Sequence, residues 1–396
     1  MKKIERNVNI NYLYQSFKCM DITGAIWVLY LAFRGMNLAQ IGLLEGIFHG
    51  TSILFEVPTG AIADLLGRKK TIILSRISAL VSSALMLMSN GFWGFAVAFI
   101  FSAVSYNLSS GSEEALIYDS LKEAGKEEGY MKVSGKINFI IEVMQGVGAF
   151  IGAFLAETSF VLSYVVAMAL SIIALTIALG FEEPENENLS EKIDIKSHFK
   201  ETYRVIVENK RLVFLLIFYP MVFAFSTILY FYGQQYFSDA GYSKVIIAVI
   251  FLLNSICGGI GAILSSKVQK LFKGKASYIL SSLIAFSMMI FSIYTVEFSV
   301  FMFCAVGFFT AILYPINSEA VNSLIPSEQR ATLISVQSVG FSVMMILFFP
   351  ISGFMGDLIG IGFTFIVLGI LLIVGVIAST FIVKTYSRSG VISKEE

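Results

Sequence analysis

Within an apolar run at residues 40–63, Glu45, His49, Ser52 and Glu56 recur at steps of four, three and four. That spacing puts them on one stripe of a helix. Two carboxylates and an imidazole in such a run are costly unless they face a cavity or one another. The chemistry they offer is proton exchange. A carboxyl group taken out of water trades its proton nearer neutral pH than an exposed one, and imidazole titrates there unperturbed. Other apolar runs carry similar groups: Tyr14, Lys18 and Asp21; Glu113 and Glu114; Asn138, Glu142 and Gln145. Counted from the ends of their runs, Asp21, His49 and Glu142 lie nearest the middle. Glu56 and Glu113 lie toward one end and Glu45 toward the other. The second half of the chain offers mostly neutral groups, among them Tyr230, Asn254, Tyr314 and Asn317.

Each of these groups has a structural reading beside the functional one. Lys18 and Asp21 suit an internal ion pair as well as a coupling site. His49 suits a hydrogen-bonded core position, and Glu56 suits a brace for the turn that follows it. Glu113 or Glu114 suits pairing with Lys136. Cys19, Cys257 and Cys304 all sit in apolar segments, where thiols act as small packing groups rather than as a disulfide framework or metal site.

The elements that position these residues follow from composition. Of 396 residues, 56% are hydrophobic and only 14% charged, against about 25% charged in an ordinary soluble protein. Mean hydropathy is +0.79. The bilayer is the solvent that tolerates such a chain. The apolar runs are long and do not alternate, so they read as transmembrane helices. About twelve runs meet the length a span requires, near residues 9–33, 40–63, 71–89, 93–117, 131–156, 160–180, 211–236, 243–266, 276–294, 298–320, 331–355 and 361–383. No small-residue cleavage site follows the first.

Basic residues cluster on alternate loops: Lys2, Lys3 and Arg6; Arg68 to Lys70; Lys122 to Lys132; Lys192 to Arg211; Lys267 to Lys275; Arg330; and Lys384 to Lys394. Only Arg34 and Lys244 fall on the other side. By the positive-inside rule both termini and the polar loop 181–210 are cytoplasmic. That loop divides the chain into six-span halves, 1–180 and 211–396, and its second part suits a surface helix. Weak echoes join the halves: SGSEEALIYDSL (110–121) with INSEAVNSLIP (316–326), and GAIADLLGRKK with GAILSSKVQKLFKGK (261–275).

The stretch FEVPTGAIADLLGRKK (55–70) sits between the second and third runs. Its Gly60, Asp64, Gly67, Arg68 and Lys69 match the G-x-x-x-D-x-x-G-R-K signature of the major facilitator superfamily. The longer string, with SGSEEALIYDSL and EQRATLISVQS, resembles bacterial drug-export-like members of that family. The resemblance covers essentially the whole chain. It implies an all-α membrane fold of two pseudo-symmetric six-helix bundles, and alternating access by rocking of one half against the other. It also implies a cytoplasmic latch in which Arg68 pairs with Asp119, Asp64 meets the start of span eleven near Arg330, and Gly60 and Gly67 permit a tight turn. A purely topogenic basic loop is the alternative. QGVGAFIGAFLAE (145–157) departs from the exporter pattern, with Ala153 where a proline would stand.

The expectation is therefore a proton-coupled exporter of small amphipathic or cationic compounds, a monomer in the plasma membrane of a bacterium. Its partners are the substrate, protons and lipid, with no nucleic acid. The rivals are a nutrient symporter and a non-transporting sensor or lipid scramblase. An enzyme is not expected, since no metal-spaced His/Cys cluster or Ser/His/Asp set occurs. No cofactor is expected either, and G-x-x-x-x-G-K-[ST] is absent from the sequence.

Overall fold

The computed structural model describes residues 4, 6–184, 210–322 and 330–388; some side chains within the helices, those of Asp64 and Arg330 among them, lie outside that description. The polar loop's surface-helix segment, with His198, is also outside the described residues.

The described residues form α-helices, in chain order α1 (Arg6–Lys18), α2 (Trp27–Phe33), α3 (Leu38–Leu66), α4 (Arg68–Met88), α5 (Phe92–Ser109), α6 (Ser112–Glu123), α7 (Tyr130–Thr158), α8 (Phe160–Ala178), α9 (Lys210–Asp239), α10 (Lys244–Phe272), α11 (Ala276–Met289), α12 (Val296–Asn322), α13 (Arg330–Ile359) and α14 (Ile361–Arg388). Among the described residues, ten helical stretches are long and apolar enough to cross a membrane. Large apolar side chains stand exposed along them, Phe139, Phe154, Ile263 and Phe363 for example. Water would not tolerate so much apolar surface, but lipid does. The protein is a multi-pass membrane protein.

Two expected spans are not among the ten. The run at 9–33 is not one helix: α1 ends at Lys18, α2 starts at Trp27, and 19–26 is irregular. Asp21 accepts from the backbone of Thr23 and Gly24, and from the Thr23 hydroxyl at 3.4 Å. Such short-range side-chain bonds compete with the helical ladder. Gly148 and Gly152 of α7 let this segment approach closely. A methyl on Gly152 would overlap the Ile22 carbonyl, and one on Gly148 the peptide joining Met20 to Asp21. Irregular backbone at this depth persists only where protein covers it or water reaches it. The run at 276–294 forms the shorter apolar helix α11. The fourth run is also interrupted, at Gly111, whose φ of 74° favours glycine.

The described helices gather into two compact units, Met1–Glu191 with Tyr242–Ala248, and Lys192–Gly241 with Val249–Glu396. In the first, Ser75, Ser78 and Ser82 of α4 donate to the carbonyls of Ser105, Phe101 and Ala98 on α5 at 2.9, 2.8 and 2.8 Å. Small hydroxyl residues bring helix backbones together where no hydrophobic drive separates protein from lipid. Tyr30 donates to the Met86 carbonyl at 2.7 Å, and Arg34 binds the Tyr30 hydroxyl at 2.8 Å and the Ser89 carbonyl. In the second unit the core is aromatic, with Phe237, Phe291, Phe303, Phe349 and Phe365 all buried.

Candidate functional site

Two regions carry chemistry, one in each unit. In the first unit Glu113 is the hub. Lys18 Nζ donates to both its oxygens at 2.7 and 2.6 Å, Tyr14 Oη at 2.9 Å and Gln15 Nε2 at 2.8 Å. The α1 spacing Tyr14, Gln15, Lys18 puts all three donors on the face turned to α6, and Gly111 lets α6 restart so that Glu113 falls in its first turn. Arg76 of α4 is buried, interacts electrostatically with Glu113, and bonds Ser75 Oγ at 3.0 Å. Two cations therefore surround one carboxylate.

The expected pairings of this group are corrected by the structure. Lys18 pairs with Glu113 rather than with Asp21. Glu113 does not take Lys136, whose ammonium lies 4.4 Å over the Tyr12 ring. Arg76 did not figure among the candidates; a lone arginine in the apolar run 71–89 was the signal that could have found it.

On α3, Glu45 Oε1 and His49 Nε2 are 3.6 Å apart, both well buried. Ser52 donates to Asn107 Oδ1 at 2.7 Å, and Asn107 returns a bond to the Ser52 carbonyl at 2.7 Å. Glu56, Glu142 and Asp21 are exposed, and none of them is among the hydrogen-bonding partners of Glu113.

The loop motif proves to be nearly all helix. Pro58 lies inside α3, and one residue, Gly67 with φ 90°, separates α3 from α4. Glu183 caps α4: its Oε1 and Oε2 accept from the backbone amides of Arg68 and Lys69 at 2.6 and 2.8 Å. A carboxylate there meets unpaired N–H groups and the positive end of the helix dipole. A methyl on Gly67 would sit 2.6 Å from the Glu183 carboxylate. Gly67 thus serves both the left-handed turn and the cap. Among the described residues, a methyl on Gly60 would meet nothing within 4 Å. Arg68 Nε stands 3.9 Å from Asp119 Oδ2. The side chains of Asp64 and Arg330 lie outside the described residues. Glu183 escaped the sequence because it lies more than a hundred residues from the groups it caps.

The second unit holds a cavity of about 330 Å³ between α9, α10 and α12. Tyr230, Asn254 and Tyr314 line it, together with Phe223, Ser226, Thr310 and Phe303. Thr310 donates to Ser226 Oγ at 3.1 Å. Tyr230 stacks on Phe303 at 6.0 Å between centroids, and Phe223 meets Tyr314 edge-on at 5.6 Å. No lining residue is charged. Asn317 lies outside the lining; its buried Oδ1 has no hydrogen-bond partner among the described residues.

A family model described as Major Facilitator Superfamily matches residues 13–306 and 276–396. The chain belongs to the major facilitator superfamily. It is a membrane transporter of that family, not an enzyme. The MFS-type transporter YxaM of Bacillus subtilis (strain 168) is 23% identical over 389 residues, covering 95% of this chain and 96% of its own. Among solved structures, the nucleoside transporter NupG superposes with TM-score 0.80 at 12% identity, covering 97% of this chain and 100% of its own. A bacterial homolog of the human lysosomal transporter Spinster, inward-facing and unoccupied, gives 0.74 at 13% identity over 97% and 98%. At such identities these structures attest the superfamily fold alone.

Proposed function

We propose that this superfamily member is a secondary active transporter that exports small amphipathic compounds in exchange for protons. It would act as a monomer of two six-helix bundles, twelve spans in all, with both termini in the cytoplasm of a bacterial cell. The observation that carries the reading is a division of chemistry. The buried titratable groups described above, Glu45, His49, Glu113, Lys18 and Arg76, belong to the first unit, whereas the cavity of the second is aromatic and neutral. Proton handling is assigned to Glu45 and His49, a carboxyl group and an imidazole 3.6 Å apart on one face of α3. Glu113, with four donor contacts and two cations around it, is held as a fixed anion. Arg68, Asp119 and the capped turn at Gly67 supply the latch that the loop signature implies, and that export-like signature supports the outward direction.

A second reading, proton-driven uptake of a neutral solute, is favoured by the uncharged lining and by the likeness to a nucleoside transporter. Purified protein in liposomes with an imposed pH gradient tests both. A fluorescent lipophilic cation reports export and radiolabelled uridine reports uptake, each in the native chain and in Glu45→Gln and His49→Gln. Gradient-driven movement lost in the variants supports the reading. Movement of either probe that ignores the gradient, or that survives both substitutions, overturns the proton assignment.

A further inference from the structure

We infer that the cavity of the second unit seats an uncharged, planar ring bearing adjacent N–H donor and carbonyl acceptor groups, and that Asn254 selects for it. The inference rests on the transporter reading, in either direction. Asn254 lies on α10 well away from both ends of the span, at a depth where an unmatched amide is expensive. Its side chain lines the cavity, yet it makes no side-chain hydrogen bond among the described residues. Gly307 is what makes room for it: a methyl on Gly307 would overlap both Oδ1 and Nδ2. The missing side chain at Gly307 thus admits the Asn254 amide to the wall of the cavity beside α12.

An amide edge offers one acceptor and one donor side by side. A lactam edge, with its N–H next to its C=O, returns both bonds at once; a simple hydroxyl or amine returns one. The walls fix the rest of the shape. Tyr230 and Phe303 lie nearly parallel, with an interplanar angle of 14°, and Phe223 and Tyr314 add further aromatic surface. Planar rings stack on such faces at little conformational cost. The Ser226–Thr310 hydroxyl pair supplies a second polar point in the cavity lining. A charged ring is disfavoured because no lining residue bears a counter-charge. Where a transported compound carries charge, that part of it lies outside this cavity.

The test uses purified full-length protein and three probes in equilibrium binding: uracil, 1,3-dimethyluracil and benzamidine. Dimethyluracil keeps the ring and both carbonyls but lacks the N–H donors. Benzamidine is a planar cation with donors only. The native chain is expected to bind uracil about tenfold more tightly than dimethyluracil, the usual scale for one buried polar group left unmatched, and to reject benzamidine. Asn254→Asp, nearly isosteric, removes the donor and adds a carboxylate, so it should lose uracil and gain benzamidine. Thr310→Val, on another helix, should weaken uracil without admitting benzamidine, which guards against a folding defect at position 254. Equal binding of uracil and dimethyluracil, benzamidine binding to the native chain, or an unchanged profile in Asn254→Asp overturns the inference. Liposome flux on the same preparations separates the two readings. Uracil binding without gradient-driven flux condemns the transport reading, and gradient-driven flux of a lipophilic cation without uracil binding condemns the ligand class alone.

Discussion

Removing Glu113 should hurt more than removing Lys18, although the two form one ion pair. Glu113→Gln leaves Lys18 and Arg76 as two buried cations with no carboxylate between them. Breaking a buried pair in this way costs about 3–5 kcal/mol. Lys18→Met leaves Glu113 with Tyr14, Gln15 and Arg76, so the loss is one charged hydrogen-bonding partner, about 1.5–3 kcal/mol. The side chains are 20% and 9% exposed, too sheltered for water to erase the difference. Charge accounting also gives a change of sign. In the Glu113→Gln background, Lys18→Met removes one of two mutually repelling cations and should restore stability by about 0.5–3 kcal/mol, the scale of coupling between touching residues. Thermal unfolding in detergent reads this directly, because the only tryptophans, Trp27 and Trp93, both belong to the first unit. For a unit of that size each kcal/mol moves the midpoint by about 2–4 °C. If Lys18→Met lowers the midpoint as much as Glu113→Gln, or lowers it further in the Glu113→Gln background, Arg76 does not share this carboxylate and the hub is misread.

The turn and the broken segment give two further expectations. Gly67→Ala forces a methyl into both a positive φ and the Glu183 carboxylate; left-handed strain plus a lost cap is worth about 2–4 kcal/mol, and Glu183→Gln should show only the cap's share in the same unfolding assay. Gly152→Ala must push α7 off the Ile22 carbonyl, which is backbone and cannot swing aside; a lower midpoint together with slower transport is expected, and an unchanged protein would refute the close approach of α7 to residues 19–26.

The membrane class was legible in the chain itself. Lipid cannot hydrogen-bond a backbone, so every span must be written locally as about twenty apolar residues, and runs such as 160–180 and 361–383 needed nothing else. The loop motif was legible for a similar reason: a left-handed turn and a helix start are short-range demands, met by Gly67 and its neighbours. Partners were not. Lys18 and Asp21 are near in sequence and suggested a pair, but Glu113, 95 residues on, offers a carboxylate that Tyr14 and Gln15 also reach. Only helix packing brings α1 to α6. The break at 19–26 was hidden by apolar flanks, because hydropathy reports what lipid accepts and not whether the ladder is continuous. It took Gly148 and Gly152, on a distant helix, to make space for it. The same holds for Asn254. Its type made it a candidate, but its standing as an amide without a side-chain hydrogen bond among the described residues, in a neutral cavity, depends on where α9 and α12 place Tyr230, Thr310 and Gly307. Local sequence writes what the solvent demands of each helix; which polar groups meet is decided by long-range packing, where the cost of leaving a buried charge alone selects among the pairings the sequence allows.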